Sequence, residues 1–223
     1  MGIGYKDGIS PKPLKEIKND KPKDINWDFI LDEVYRVLKP HKMCYMFGRT
    51  DMFMRISKHI NDSKLKYCHD FIWRKGDMNY GNLNIFGNIH EIIIGLSKGS
   101  PEKSRKILID NKIKKRTKAE YCGKTTTKEY YGHPMQKPVG LLSYIILNRT
   151  DENDVVFDPF CGVSSTLIAS KILNRKYIGY EIDEEFYNLS IKRLNDFEHL
   201  KQFDHIKNKN IQNININGLS FSL

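Results

Sequence analysis

Apolar residues first take on a helical period at Trp27, Ile30, Leu31, Val34 and Leu38, and Pro40 behind them predicts where that helix stops. Met43–Gly48 (MCYMFG) is short, apolar and bounded by turn residues, which predicts a buried strand. Thr50 or Asp51 stands where a cap is needed for a helix carrying Met52, Ile56 and Ile60 on one face. Tyr67–Lys75 and His90–Ser97 predict two strands, the second with the β-branched run Ile92, Ile93, Ile94. Pro138 sits as a first helical position, with Leu141, Leu142, Ile145 and Ile146 behind it.

The pattern is cleanest further on. Asp154–Asp158 (DVVFD) predicts a strand, Ser164–Leu173 a helix, Lys176–Glu181 (KYIGYE) a strand and Asp183–Phe197 a helix. Strand, turn, helix, strand, helix is a βαβ unit, which implies an α/β fold with a parallel sheet and helices on its faces. Residues 2–24, rich in Gly, Pro and Lys, read as a loop, and the last twenty residues, with five asparagines between Asn208 and Asn217, read as a polar tail.

Composition narrows the class. A chain of 223 residues suits one domain, or one domain with a small lobe. No apolar run reaches the ~18 residues of a membrane span, and the start MGIGYKDGIS has no apolar core for a signal peptide. The four cysteines (Cys44, Cys68, Cys122, Cys161) form no C-x-x-C pair, so neither a zinc ribbon nor a disulfide framework is expected, and no metal ligand set is assigned. A soluble, basic, cytoplasmic protein is expected. The net charge of +10 is concentrated between Lys98 and Lys128, where eleven Lys/Arg face three acids. Such a block is either a solvated loop or an electrostatic footprint for a phosphate backbone, and charge alone leaves both open.

Two segments carry candidate chemistry. The turn Asp158–Thr166 (DPFCGVSST) joins a strand to a helix N-terminus, where small residues let a ligand approach the backbone. Glu181, twenty-three residues after Asp158 and at the end of the next strand, can accept hydrogen bonds from both hydroxyls of a ribose. Together they describe a pocket for a nucleoside-containing cofactor, although a glycine turn followed by a strand-end acid also occurs in α/β proteins that bind no nucleotide. His133–Pro138 (HPMQKP) opens a helix, with donors at Gln136 and Lys137, and Lys137 can pair with a carboxylate.

H-P-x-Q-K-P, then a helix, then D-P-F-x-G-x-S, then a strand ending G-Y-E resembles the amino-methylating DNA methyltransferases, in the circularly arranged class whose catalytic half precedes the cofactor half. GIGYKDG at 2–8, Trp27 with YRVLKP at 35–40, and FIWRK at 71–75 with HEIIIG at 90–95 are similar to further family segments, so the resemblance spans roughly residues 2–198. It implies a Rossmann-like, mostly parallel sheet with helices on both faces and a small basic target-recognition insertion. The implied organisation is a catalytic-side half at 1–97, a DNA-contact segment at 98–130, a cofactor half at 131–198 and a polar tail at 199–223.

The resemblance further implies methyl transfer from S-adenosylmethionine to the exocyclic amino group of adenine or cytosine in double-stranded DNA. Asp158, Phe160, Gly162 and Ser164 would form the cofactor turn, Glu181 would hold the ribose, and Gln136 and Lys137 would lie near the methionine end. Arg105, Lys114, Lys115 and Arg116 would contact phosphates, and a companion restriction nuclease is an implied partner. Ser164 replaces a usual glycine, tolerable if φ is negative there, and His41–Lys42 replace a Gly-Gly turn, at little cost unless φ is positive.

The family's catalytic D-P-P-Y is expected before Gly2 and is absent from the 223 residues, so no catalytic residue is assigned. Three expectations follow. The gene product is truncated or mis-started, or it is an inactive remnant that retains cofactor or DNA binding, or it is one part of a split enzyme completed by another N-terminal segment. Of these the first is preferred, because the rest of the pattern is largely intact.

Overall fold

Asn26 opens the first helix by accepting a hydrogen bond from the Phe29 amide (3.1 Å), and α1 (Trp27–Val37) then turns Leu31 inward. This is the computed structural model of the chain, and it describes residues 25–75, 90–102, 120–122 and 125–207. They divide into two compact units, one drawn from 25–75, 90–102 and 120–122, the other from 125–207.

In the first unit, β1 (Met43–Gly48), α2 (Thr50–Asp62), β2 (Lys66–Arg74), β3 (His90–Ser97) and β4 (Glu120–Cys122) follow α1. The sheet order is β1-β3-β2-β4. β3 is antiparallel to both neighbours, and β4 is parallel to β2. β1, β2 and β4 therefore run in one direction and β3 alone is reversed. β1–α2–β2 is a crossover that leaves a gap between its strands, and β3 fills that gap. Leu31, Leu65, Ile94 and Leu96 form the core, with Met46, Phe53 and Ile60 packed against them.

Two local expectations change. Neither Thr50 nor Asp51 caps α2. Arg49 is the extended residue before the helix, and its side chain pairs with Asp51 at 2.9 Å. His41 has φ +67°, so the turn does require the left-handed region. That conformation costs a non-glycine residue on the order of 1–3 kcal/mol. The His41 ring offsets it with a 2.8 Å hydrogen bond between Nδ1 and the Ser100 carbonyl, while its amide donates to Lys98 O. Of the expected 98–130 insertion, residues 98–102 and β4, which pairs with β2, belong to the first unit, whereas 125–130 belong to the second.

The first helix of the second unit is α3 (Val139–Arg149); Pro138 is its N-cap and not its first helical residue, so the helix begins one residue later than expected. β5 (Val155–Asp158), α4 (Ser165–Ile172) and β6 (Lys176–Gly179) are the predicted βαβ unit, with β5 and β6 parallel and in register from Val155↔Lys176 to Asp158↔Gly179. Leu167, Ile168 and Ala169 are buried along α4. Asp183 caps α5 (Glu184–Asn195) by accepting from the Glu185 and Phe186 amides. The single helix expected to Phe197 breaks at Asp196, whose carboxylate accepts from the His199 amide and starts α6 (Phe197–Lys201). α7 (Asp204–Lys207) follows, and Phe203 and Ile206 are buried, so the polar tail cannot begin at 199. Residues 208–223 lie outside the described residues, as does the expected loop at 2–24.

Candidate functional site

Where β5 ends, the chain does not turn away at once. The Tyr180 amide donates to Asp158 O (3.0 Å) and the Cys161 amide to Tyr180 O (2.9 Å), which carries the β5–β6 pairing into the turn. Asp158 Oδ1 accepts from the Phe160 amide at 3.0 Å, folding the chain back over its own side chain. The same carboxylate is hydrogen-bonded by Thr166, a residue the sequence reading gave no role. Burial raises the Asp158 pKa. The hydrogen bonds from Thr166 and Phe160 oppose that, Glu181 adds to it, and the charge of Lys137 pulls the other way. Burial also pushes the Cys161 thiol up to about 11, with Asp158 adding to the effect, so this cysteine is not a thiolate at neutral pH.

Gly162 carries φ +52°, and a Cβ there would meet the His133 ring at 3.3 Å. The position needs glycine for its conformation and for that close approach. Its amide donates to Glu181 Oε2 at 2.9 Å, and Glu181 Oε1 accepts from the Asp183 amide at 2.9 Å. A carboxylate has about four lone-pair sites, so each oxygen keeps one for a further donor. Phe160, Tyr180 and Ile182 are exposed apolar side chains flanking these groups in the chain.

Ser164 departs from expectation. Its φ is +65°, in the left-handed region, and it is fully buried. Its hydroxyl forms a short hydrogen bond with that of Ser190 on α5. α4 starts immediately after it, with no side-chain cap from Ser164.

The HPMQKP segment abuts the turn through His133, whose ring lies 4.3 Å from that of Phe186 and accepts the Met135 amide at Nδ1 (3.0 Å). Gln136 is buried and spends its amide on backbone: Nε2 donates to Glu129 O, and Oε1 accepts from the Tyr131 amide, both at 2.8 Å. Lys137 donates to Met135 O at 3.1 Å while its charge acts on Asp158. Asp158, Phe160, Gly162, Ser164 and Glu181 thus gather at the C-terminal ends of β5 and β6, where ligands of parallel sheets bind. Gln136 shapes the neighbouring segment, and Lys137 reaches the turn by its charge. Arg105, Lys114, Lys115 and Arg116 lie outside the described residues, as does the stretch before Gly2.

Comparison with known proteins agrees with this geometry. A family model described as DNA methylase, for N6 and N4 methylation, matches residues 27–192. The chain is 31% identical over 184 residues to the type II methyltransferase M.HinfI of Haemophilus influenzae, covering 75% of this chain and 50% of that protein. It is 50% identical over 64 residues to M2.MboI of Moraxella bovis, covering 29% of this chain and 23% of that protein. The chain therefore spans half or less of these relatives. A crystal structure of M1.HpyAVI in complex with SAM shares the fold, with a TM-score of 0.63 at 24% identity over 75% of this chain and 82% of that one. With the family match running from α1 through the cofactor-type turn and into α5, the chain belongs to the DNA methylases that modify amino groups at N6 or N4.

Proposed function

We propose that this chain takes part in site-specific methylation of duplex DNA, with residues 131–198 binding S-adenosylmethionine and the acceptor being the exocyclic amino group of adenine or cytosine. The observation that carries the cofactor reading is the carboxylate of Glu181. It is pinned by the Gly162 and Asp183 amides at the strand ends and retains acceptor capacity for two ribose hydroxyls. The residues present fit such a group: a left-handed glycine lets the backbone approach it, Asp158 and Lys137 offer charges of both signs, and Phe160 and Ile182 offer apolar surface. The bound cofactor supplies a methyl group on a sulfonium. Lys137 and Asp158 then orient the charged amino-acid end of the cofactor, and Glu181 fixes its ribose, so that the methyl is held in one direction for an approaching amine. The basic block containing Arg105, Lys114, Lys115 and Arg116 supplies sequence-independent phosphate contacts in this reading.

Calorimetric titration of the full chain with S-adenosylmethionine tests the reading, with Glu181→Ala beside wild type. Each ribose hydrogen bond to a charged group is worth about 1.5–3 kcal/mol, so the variant should bind at least about a hundredfold more weakly. Labelled-methyl assays on duplex DNA, digested to nucleosides, then tell N6-methyladenine from N4-methylcytosine. A folded chain that takes up no cofactor, or an equal affinity in both proteins, overturns the assignment.

A further inference from the structure

Arg193 is fully buried on α5, twelve residues after Glu181, and the cofactor reading gives it no role. Its guanidinium spends its fork on two separate segments. Nη1 donates to Val163 O (2.8 Å) and to Ser165 Oγ (3.0 Å), gripping the cofactor turn at the point where it enters α4. Nη2 donates to Glu129 O at 3.3 Å, and that same carbonyl accepts from Gln136 Nε2. The Glu129 carboxylate in turn accepts from the Val139 amide at the start of α3, in a short hydrogen bond. Nε donates to His199 Nε2 at 3.0 Å, and the Tyr131 ring lies 5.7 Å from the guanidinium carbon.

We infer that Arg193 is a positioning residue for the cofactor site, clamping the 163–165 turn and the 129–139 segment in one geometry from behind. The inference rests on the cofactor reading proposed above and assigns no contact between Arg193 and the ligand. A planar fork with five donors can reach two backbone carbonyls, a hydroxyl and an imidazole at once, whereas an ammonium cannot. Val163 and Glu129 are themselves buried, so without the fork their carbonyls would lose this partner and the turn would lose one of the contacts that hold its shape. Ser190, one turn earlier on the same face of α5, holds Ser164 of the same turn. The turn is thus fastened at Ser164 and again at Val163 and Ser165.

His199 offers a readout that packing alone would not move. Because Nε2 accepts from Arg193, a second proton on the imidazole removes that acceptor and sets two cationic groups face to face. The titratable or charged groups around the pair are Asp196, whose carboxylate binds the His199 amide and the Tyr131 hydroxyl, together with Tyr131 and Glu129. Burial, with the Arg193 charge second, holds the His199 pKa below its usual value.

The test is S-adenosylmethionine affinity of the full chain between pH 8 and pH 5.5, measured below the melting range of each variant. The proteins compared are wild type, Arg193→Lys, Arg193→Met, Ser165→Ala and Glu181→Ala. The expected result at pH 8 is at least a tenfold weaker affinity in Arg193→Met, little recovery in Arg193→Lys, and a smaller loss in Ser165→Ala. Wild-type affinity should fall as the pH drops below that of a free histidine, and both Arg193 variants should show a flatter profile. If Arg193→Met does not fold, Ser165→Ala and Arg193→Lys decide by the same criteria. Wild-type affinity and pH profile in the Arg193 and Ser165 variants, while Glu181→Ala loses the cofactor, overturn the clamp alone. Wild-type affinity in Glu181→Ala instead overturns the cofactor reading on which it rests.

Discussion

Ser164 holds a conformation that a serine should resist, and its replacement separates two opposed contributions. At φ +65° its side chain costs about 1–2 kcal/mol relative to a residue in the ordinary region. Against that stands a buried hydroxyl–hydroxyl bond to Ser190, worth about 1 kcal/mol when present. Leaving either partner buried and unpaired costs about 1–3 kcal/mol. Ser164→Ala keeps the strain and orphans Ser190, so it should destabilise by about 1–3 kcal/mol. Ser164→Gly also orphans Ser190 but relieves the strain, which should leave it about 1 kcal/mol more stable than Ser164→Ala. Combining Ser164→Gly with Ser190→Ala removes both hydroxyls together and should return stability to within about 1 kcal/mol of wild type. Urea unfolding of wild type, Ser164→Gly, Ser190→Ala and the double variant forms a double-mutant cycle, and the expected coupling is about 1–2 kcal/mol. If the single effects simply add, the hydroxyl pair contributes nothing. If Ser164→Gly alone exceeds wild-type stability by 1 kcal/mol or more, the bond does not offset the strain.

Three further outcomes are expected. Gly162→Ala places a methyl against His133 and a non-glycine residue at φ +52°, so it should lower stability by about 1 kcal/mol and weaken cofactor binding more than this stability change implies; thermal melts with calorimetry check both. Asp158→Asn should stabilise the fold at neutral pH while weakening cofactor binding. Burial raises the Asp158 pKa, so its favourable contribution is complete below the ordinary carboxylate range and is lost as pH rises through the folded value; the stability gap to the variant should therefore close as pH is lowered towards 4. Changing Lys114, Lys115 and Arg116 together to Glu should weaken binding to all duplex sequences alike and flatten the dependence of log K on log salt, and an unchanged slope would make that block a solvated loop.

The second unit was legible because its signals are local. In β5, α4 and β6 the hydrophobic period, the small-residue turn and the strand-end acid all fall in phase, and the elements lie within two residues of where the pattern puts them. Trp27–Leu38 and Met43–Gly48 were legible for the same reason. What the pattern could not show was the sign of φ at His41 and Ser164, because backbone handedness leaves a mark in sequence chiefly through glycine or asparagine. Nor could it show that β3 runs against β1, β2 and β4, since direction within a sheet is set by crossovers and not by side-chain alternation. The break at Asp196 was hidden by an apolar period that continues through it to Phe203 and Ile206. Only the cap, an aspartate whose carboxylate binds the His199 amide three residues on, marks the boundary.

The residues missed at the site share one physical character. Ser190 and Arg193 stand four and seven positions after Phe186, on the buried stripe of α5, where a reading by hydrophobicity assigns polar residues to solvent. A buried polar side chain is stable only where partners await it. For Arg193 those partners are a carbonyl at Val163, thirty residues earlier, and one at Glu129, sixty-four residues earlier. Such partners are supplied by the fold and are invisible to any window along the chain. A serine and an arginine in phase with a core phenylalanine were nonetheless a usable signal. A charge kept on an apolar face, where a leucine would pack at lower cost, has to be explained by something that leucine cannot do. Here that something is to donate hydrogen bonds to a turn whose own carbonyls face inward.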